Sequence, residues 1–187
     1  RFNAQFDRYV YLPVVRTYAW ATPRPVRTGV SNIFNNLGEI PNLGNSLLQG
    51  KFKRSGQTTA LLLFNSIFGL AGIFDVAGKM GLPRQKEDFG QTLGVWGVPP
   101  GPYLVLPFLG PSSLRDGTGR TADWVLEDYV NYMHSRDVMN DYQATWGIWA
   151  IDLRYQTPFR YGALDSPFEY DQVRYLYTKL REFEVDN

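Results

Sequence analysis

This sequence predicts a mostly helical single domain of seven or eight helices spanning residues 1–187. Three observations carry that reading. Apolar residues recur at spacings of three and four in one stretch after another. Capping residues and Gly or Pro breaks flank those stretches. No run alternates apolar and polar side chains, no hairpin signature stands out, and no segment repeats another. One stretch departs from this pattern. Between Asp88 and Gly117 the chain carries Gly90, Gly94, Gly97, Gly101, Gly110 and Gly117 interleaved with Pro99, Pro100, Pro102, Pro107 and Pro111. No long helix is expected there, and any strand must be short.

In chain order, Phe2 to Trp20 reads as two helical pieces divided by Pro13, with Phe2, Phe6 and Tyr9 on one face. Thr22-Pro23 is expected to start the next helix, Thr as N-cap and Pro at the first position. Val26, Val30, Ile33, Phe34 and Leu37 form its face, and Gly38 closes it. A short helix from Pro41 to Gln49 follows. From Lys51 to Gly78 comes the most hydrophobic part, uncharged between Arg54 and Asp75. Gln57, Thr58, Thr59, Asn65 and Ser66 interrupt it, and Gly69 and Gly72 weaken it. Two helices breaking near Gly69 therefore fit better than a single span of about 20 apolar residues. They could be core, or lie at a membrane with Lys51, Lys53 and Arg54 toward headgroups. Residues 79–87 form a polar connector.

Past the central stretch, Ser112 is expected to cap a helix running beyond Gly117 and Gly119 with a break, its apolar side made by Val125, Leu126, Tyr129 and Met133. Met139, Tyr142, Trp146, Trp149, Ala150 and Leu153 mark a second long helix closed by Thr157-Pro158. Ser166-Pro167-Phe168-Glu169 is a capping box, and Val173, Leu176, Tyr177, Leu180 and Phe183 are the expected buried face of the last helix.

The central stretch is apolar although irregular. It holds Val95, Trp96, Val98, Tyr103, Leu104, Val105, Leu106, Phe108 and Leu109, with no charge between Asp88 and Arg115. Its backbone groups need partners, so it sits against protein, lines a cavity or faces something greasy. Aromatic residues make up 16% of the chain, which suits a surface that is apolar at one end and wet at the other.

Chemistry is sparsely encoded. Cysteine is absent, and His134 is the lone histidine, which argues against a zinc site or a Ser-His nucleophile. Asp75, Asp88, Asp116 and Asp123 are expected to cap helices and hold salt bridges rather than to form an acid/base pair. Neither an enzyme nor a cofactor or metal is expected. Net charge is +1 and the aromatics do not interleave with Lys and Arg, so nucleic acid is not expected as a partner. The ends differ in sign: residues 1–60 hold eight basic side chains against two acidic, and residues 118–187 seven against twelve. A basic end could meet phosphate headgroups.

Several stretches together resemble the MlaA (VacJ) family. These are FNAQFDRYVYLPV at Phe2 to Val14, TPRPVRTGVSNIFNNLGE at Thr22 to Glu39, NSLLQG at Asn45 to Gly50, GLAGIFDVA at Gly69 to Ala77, the central stretch from Phe89 to Gly117, and DSPFEYDQVRYLYTKLREF at Asp165 to Phe183. The resemblance implies a lipoprotein of the Gram-negative outer membrane, lying in its periplasmic leaflet. It implies an all-α ring of amphipathic helices around a central channel. It also implies a role in removing mislocalised phospholipid from the outer leaflet, with a trimeric porin and a soluble periplasmic lipid carrier as partners. The signal peptide and the lipidated cysteine of the family would precede Arg1. On this footing Trp96, Val98, Tyr103, Leu104, Leu106, Phe108 and Leu109 are expected to wall or gate the channel, and Gly94, Gly97, Gly101 and Gly110 to act as hinges. Leu61, Leu62, Phe64, Ile67, Phe68, Leu70, Ile73 and Phe74 are expected to face the membrane, Lys51, Lys53 and Arg54 the headgroups. Phe2, Asn3 and Phe6 match a segment tied to control of lipid flow. The alternatives are a porin-docking envelope protein with no lipid path of its own, or a lipid hydrolase.

Overall fold

The structure is a computed structural model that describes residues 2–157 and 169–186, apart from the side chain of Met133. Among the described residues its regular elements are helices apart from one two-stranded hairpin. α1 (Phe2–Phe6) runs through a π-helical turn (Asp7–Tyr11) into α2 (Leu12–Ala21). Pro13 stands in the first turn of α2, where its missing N–H costs nothing. The Leu12 amide reaches back five residues to the Asp7 carbonyl, so the wider turn absorbs the proline without a break. Then come α3 (Arg24–Leu37), α4 (Glu39–Leu48), α5 (Phe52–Ile67), α6 (Val76–Lys79) and α7 (Phe89–Val95). The hairpin strands β1 (Tyr103–Leu106) and β2 (Gly110–Ser113) lead into α8 (Leu114–Val130). A 3₁₀ turn (Tyr132–His134), α9 (Ser135–Asp141), α10 (Ala144–Gln156) and α11 (Glu169–Asp186) complete the order.

Several local expectations are corrected. The chain does contain a hairpin; its loop of Pro107, Phe108 and Leu109 lacks the Asn-Gly signal that would have revealed it. α3 starts one residue later than expected, with Pro23 at the N-cap and Thr22 closing α2. Ser113, not Ser112, caps α8, its hydroxyl accepting from the Asp116 amide at 3.1 Å. α8 passes Gly117 and Gly119 unbroken. Gly119 is there for packing: a Cβ on it would stand 2.3 Å from the Gly90 backbone nitrogen, so α7 and α8 cross at their glycines. The stretch from Met139 to Leu153 is two helices rather than one, split at Tyr142 and Gln143. The expected break near Gly69 is present, but the second helix expected beyond it is not: residues 68–73 form turns, and only the short α6 (Val76–Lys79) follows in that stretch. The Ser166 capping box lies outside the described residues.

Asp75 and Asp88 cap α6 and α7 by accepting from the Gly78 and Gln91 amides. Asp116 and Asp88 together hold Arg181 of α11. The guanidinium meets Asp88 Oδ2 at 2.7 Å and Oδ1 at 2.8 Å, and Asp116 Oδ1 at 2.9 Å. Asp123 Oδ2 accepts from the Phe89 amide and Oδ1 from Asn45.

The distribution of polarity is inverted. Among the described residues, six apolar side chains are buried: Val15, Ile40, Leu61, Leu62, Ala77 and Met139. Nineteen polar or charged ones are, so a network of polar groups, rather than a greasy core, fills the interior. In α5 the inward face is Ser55, Thr58, Leu62 and Asn65, while Phe52, Leu63 and Ile67 point out. In α4, Glu39, Asn42, Asn45 and Ser46 are inside and Leu47 and Leu48 outside. α11 overturns its expected buried face. Leu176, Leu180 and Phe183 are exposed, and the helix instead packs through Tyr177 and Arg181, whose partners are charged.

Most of the buried polar groups satisfy one another, as a water-poor interior demands, Asn36 Oδ1 and Ser46 Oγ being exceptions. Asn45 donates to Asp123 at 2.7 Å and accepts from Thr92 at 2.8 Å, joining α4, α7 and α8. Asn65 accepts from the Ala77 amide and donates to Asp75, which fixes the loop between α5 and α6. Asp7 is gripped by Arg154 at 2.6 and 2.9 Å, and Ser31 donates to Asp152 at 2.5 Å, docking α10 on the π-helical turn and α3.

Candidate lipid-handling site

The irregular stretch after α7 is exposed rather than sealed in the interior, from Val95 to Pro102 without exception. Its backbone is tied down at points. The Val98 amide donates to the Leu93 carbonyl, and the Pro100 and Pro102 carbonyls accept from the amides of Arg115 and Leu114. Gly97 and Gly101 have φ of +88° and +68°, a region open to glycine at no steric cost. Gly94 is different. It lies within α7, where a Cβ would come within 2.6 Å of Val185, so it is a close-packing position and not a hinge.

The hairpin pairs Tyr103 with Ser113 and Leu106 with Gly110. Phe108 at its tip has φ of +63°, an uncommon conformation for a bulky residue. The N-terminal helix holds it there. Phe108 meets the rings of Phe2 and Phe6 edge-on, with centroids 5.5 and 4.8 Å away. The Asn3 side chain donates to the Leu106 carbonyl at 2.8 Å and accepts from the Phe108 amide at 3.2 Å. Phe2, Asn3 and Phe6 thus form one clamp on the hairpin turn, bridging more than a hundred residues of sequence.

Next to the turn lies a cavity of about 650 Å³. Phe34, Leu37 and Ile40 of α3 and α4 form one wall, and Trp124 and Val125 of α8 another. Met139 of α9 and Trp146 and Trp149 of α10 close the far side, and Leu109 reaches in from the hairpin. The lining is mostly apolar; its charged members are the paired Glu127 and Arg136 and the exposed Asp128. Arg136 donates to Glu127 at 2.5 Å and lies over the Trp146 ring, 5.1 Å from its centroid. Burial pushes the Glu127 carboxyl up from its ordinary value, and Arg136 opposes that shift.

Of the expected gate residues, Leu109 alone lines this cavity. Trp96 is elsewhere: its indole donates to the Leu48 carbonyl at 3.3 Å and meets Phe89 edge-on. Tyr103 faces α11, against the rings of Tyr170 and Tyr177, beside a second hollow of about 400 Å³. Val98 is exposed, and Leu104 and Leu106 are half-buried. Of the expected outward set, Ile67, Phe68, Leu70, Ile73 and Phe74 are exposed, and Phe64 is half-buried and stacked on Phe68. Leu61 and Leu62 are corrected: both are buried, because the polar residues around them turn that face of α5 inward. The headgroup assignment is also corrected in part. Lys51 and Arg54 are engaged by the buried carboxylate of Glu87, which leaves Lys53 as the exposed cation of the three. The tryptophans of α8 and α10 and the Glu127–Arg136 pair were missed as site residues. Trp146 and Trp149, three apart on one helix, gave a signal that reads equally well as core.

The family profile of the MlaA lipoprotein matches residues 1–184. The chain belongs to the MlaA lipoprotein family. A 38% identical relative in Escherichia coli, named the intermembrane phospholipid transport system lipoprotein MlaA, aligns over 65% of this chain and 49% of its own length. An uncharacterized protein of Rickettsia conorii is 32% identical over 98% of this chain and 73% of its own. The matched segment spans about half the length of several of the other curated relatives. A solved structure reported as the structural basis for maintenance of bacterial outer membrane lipid asymmetry superposes with a TM-score of 0.79. It is 31% identical to this chain, covering 98% of it and 92% of the solved chain. The MlaA fold is therefore common to both.

Proposed function

We propose that this chain is the outer-membrane component of a phospholipid transport system. It withdraws mislocalised phospholipid from the outer leaflet, passes it by way of the apolar cavity and delivers it to a soluble periplasmic carrier, alongside a trimeric porin. No bond is made or broken. The observation that carries this reading is the inverted polarity: buried Asn, Thr and Asp inside, exposed Leu, Ile, Phe and Trp outside. Such an arrangement costs free energy in water and gains it in lipid, where polar groups must be satisfied internally.

Among the described residues no helix is long and apolar enough to cross a membrane. α5, with 16 residues, is about 24 Å long. Helices of this kind suit a ring lying within one leaflet, its outward apolar faces in the acyl chains. The hairpin then serves as the gate of the lipid path, hinged at Gly97 and Gly101, with Leu109 on the cavity and Phe108 under the control of the Asn3 clamp. The names of the relatives, which speak of phospholipid transport and lipid asymmetry, agree with this role.

The test is direct. The protein is extracted from membranes in native lipid discs and its bound lipid analysed, and outer-leaflet phospholipid is measured in cells with and without it. Bound phospholipid and a rise in outer-leaflet phospholipid on deletion are expected. A lipid-free protein whose loss leaves the leaflet unchanged would leave only the porin-docking role.

A further inference from the structure

The charged part of the cavity has more structure than a passage for grease requires. Arg136 keeps only 11% of its side chain exposed, yet it sits at an apolar wall, gripped by Glu127 and covered by the face of Trp146. A buried ion pair is expensive, and its desolvation commonly offsets its attraction. Hydrophobic residues would fill the same wall at least as well. Asp128, next in the chain and exposed, adds a second carboxylate to the lining, so the lining carries one cation and two anions. Trp124, Trp146, Trp149, Phe34 and Leu37 continue directly from it as apolar surface.

Resting on the transport reading above, we propose that this group is a headgroup seat for zwitterionic aminophospholipids. The lipid phosphate takes the guanidinium of Arg136 in place of Glu127, and the lipid ammonium takes the carboxylates of Glu127 and Asp128. The ion pair of the empty seat is thus exchanged for two ion pairs with the ligand, and no buried charge is left alone. The guanidinium offers further donors once Glu127 turns away, in a fork matched to phosphate oxygens. Its stacking on Trp146 keeps the fork in place while the partner changes. The acyl chains lie along the tryptophans. An anionic headgroup without an amine also meets Arg136, but leaves the two carboxylates unpaired beside its own negative charge. It is the weaker ligand.

The experiment uses the full chain in discs of defined composition, with retention of lipid read by native mass spectrometry. Dioleoyl phosphatidylethanolamine, dioleoyl phosphatidylglycerol and dioleoylglycerol are offered in competition. The unsubstituted protein is expected to retain the ethanolamine lipid over the glycerol lipid by about tenfold, the scale of one charge-assisted hydrogen bond. Either phospholipid should outcompete the phosphate-free lipid. Glu127→Gln is expected to reduce the preference between the two phospholipids several-fold, Asp128 alone remaining to meet the ammonium. Arg136→Gln should abolish the preference of both over dioleoylglycerol, and Arg136→Lys should restore part of it. Retention of all three lipids alike by the unsubstituted protein, or headgroup preferences unchanged in both Gln variants, would overturn the seat and leave the transport reading standing. Retention of no lipid at all would overturn the transport reading and the seat with it.

Discussion

Asn3→Ala removes the hydrogen-bonded part of the clamp on the hairpin while touching little else. The side chain makes two hydrogen bonds to hairpin backbone, one to the Leu106 carbonyl and one from the Phe108 amide. Each is worth about 0.5–1.5 kcal/mol net, and both lie near the surface, so about 1–2 kcal/mol of docking energy is lost. That shifts the closed-to-open ratio of the turn by roughly 5- to 30-fold. The Phe2 and Phe6 contacts to Phe108 remain, so the turn loosens rather than detaches. Two readouts follow. Hydrogen exchange of the peptide spanning residues 103–113 should quicken by that factor, most at Phe108. Lipid movement between leaflets in cells should rise, because displacing the turn withdraws Leu109 from the cavity wall. Unchanged exchange would show that the contact does not restrain the hairpin. Faster exchange with unaltered lipid movement would show that the hairpin is not the gate.

Other outcomes are open to measurement. Arg181→Met strands Asp88 and the buried Asp116; the full cost of breaking such a pair, about 3–5 kcal/mol, is reduced by the 40% exposure of Asp88, and about 2–3 kcal/mol is expected in a denaturant melt. Burial raises the Asp88 and Asp116 carboxyls, but hydrogen bonds and charge from Arg181 outweigh it and hold both below the usual carboxylate range. Their stabilisation is therefore fully present above about pH 4 and lost as pH falls through the lowered values. Acid melts should show a steeper loss for the parent chain than for Arg181→Met, and parallel curves would contradict the assignment. Gly119→Ala forces a Cβ against the Gly90 backbone, with no side chain able to move aside. A loss of about 3 kcal/mol or more is expected in a thermal melt, and a neutral result would mean that the α7–α8 crossing is looser than described. Leu109→Asp places a charge on the cavity wall at a partly exposed position; transport should fail while the melt moves by less than about 1 kcal/mol.

The helices were legible in the sequence because caps and periodicity are local. Asp75 and Asp88, expected as caps, do cap α6 and α7, although neither helix was read from the sequence, and Gly69 announced the break after α5. What periodicity could not give was direction. Leu176, Leu180 and Phe183 fall on one face, and an apolar face turns inward in water; here it turns outward because Tyr177 and Arg181 on the other side find Asp88 and Asp116. The same ambiguity put Leu61 and Leu62 among the outward residues, although Ser55, Thr58 and Asn65 turn that side of α5 into the polar interior. The hairpin was hidden by prolines at Pro107 and Pro111, which argue against a strand unless it lies at an edge; in a two-stranded sheet both strands do. The site was half legible. The Gly/Pro-rich stretch pointed to the region of the hairpin, and the family resemblance pointed to Phe2, Asn3 and Phe6, which the structure brings together at its turn. The cavity itself gathers Phe34, Trp124, Arg136 and Trp149 from four helices, and nothing in their spacing says that they meet.

The central claim is that phospholipid occupies the cavity between α3, α8 and α10, and not just the outer surface of the helices. A photoreactive residue placed at Leu37 or Trp149 inside the cavity, and another at Leu63 or Ile67 on the outer face, measures this in living cells. Phospholipid adducts are expected at both places, those in the cavity changing with Asn3→Ala and those on the outer face unaffected. Adducts confined to Leu63 and Ile67, with none at Leu37 or Trp149, would mean that lipid surrounds the protein and does not pass through it.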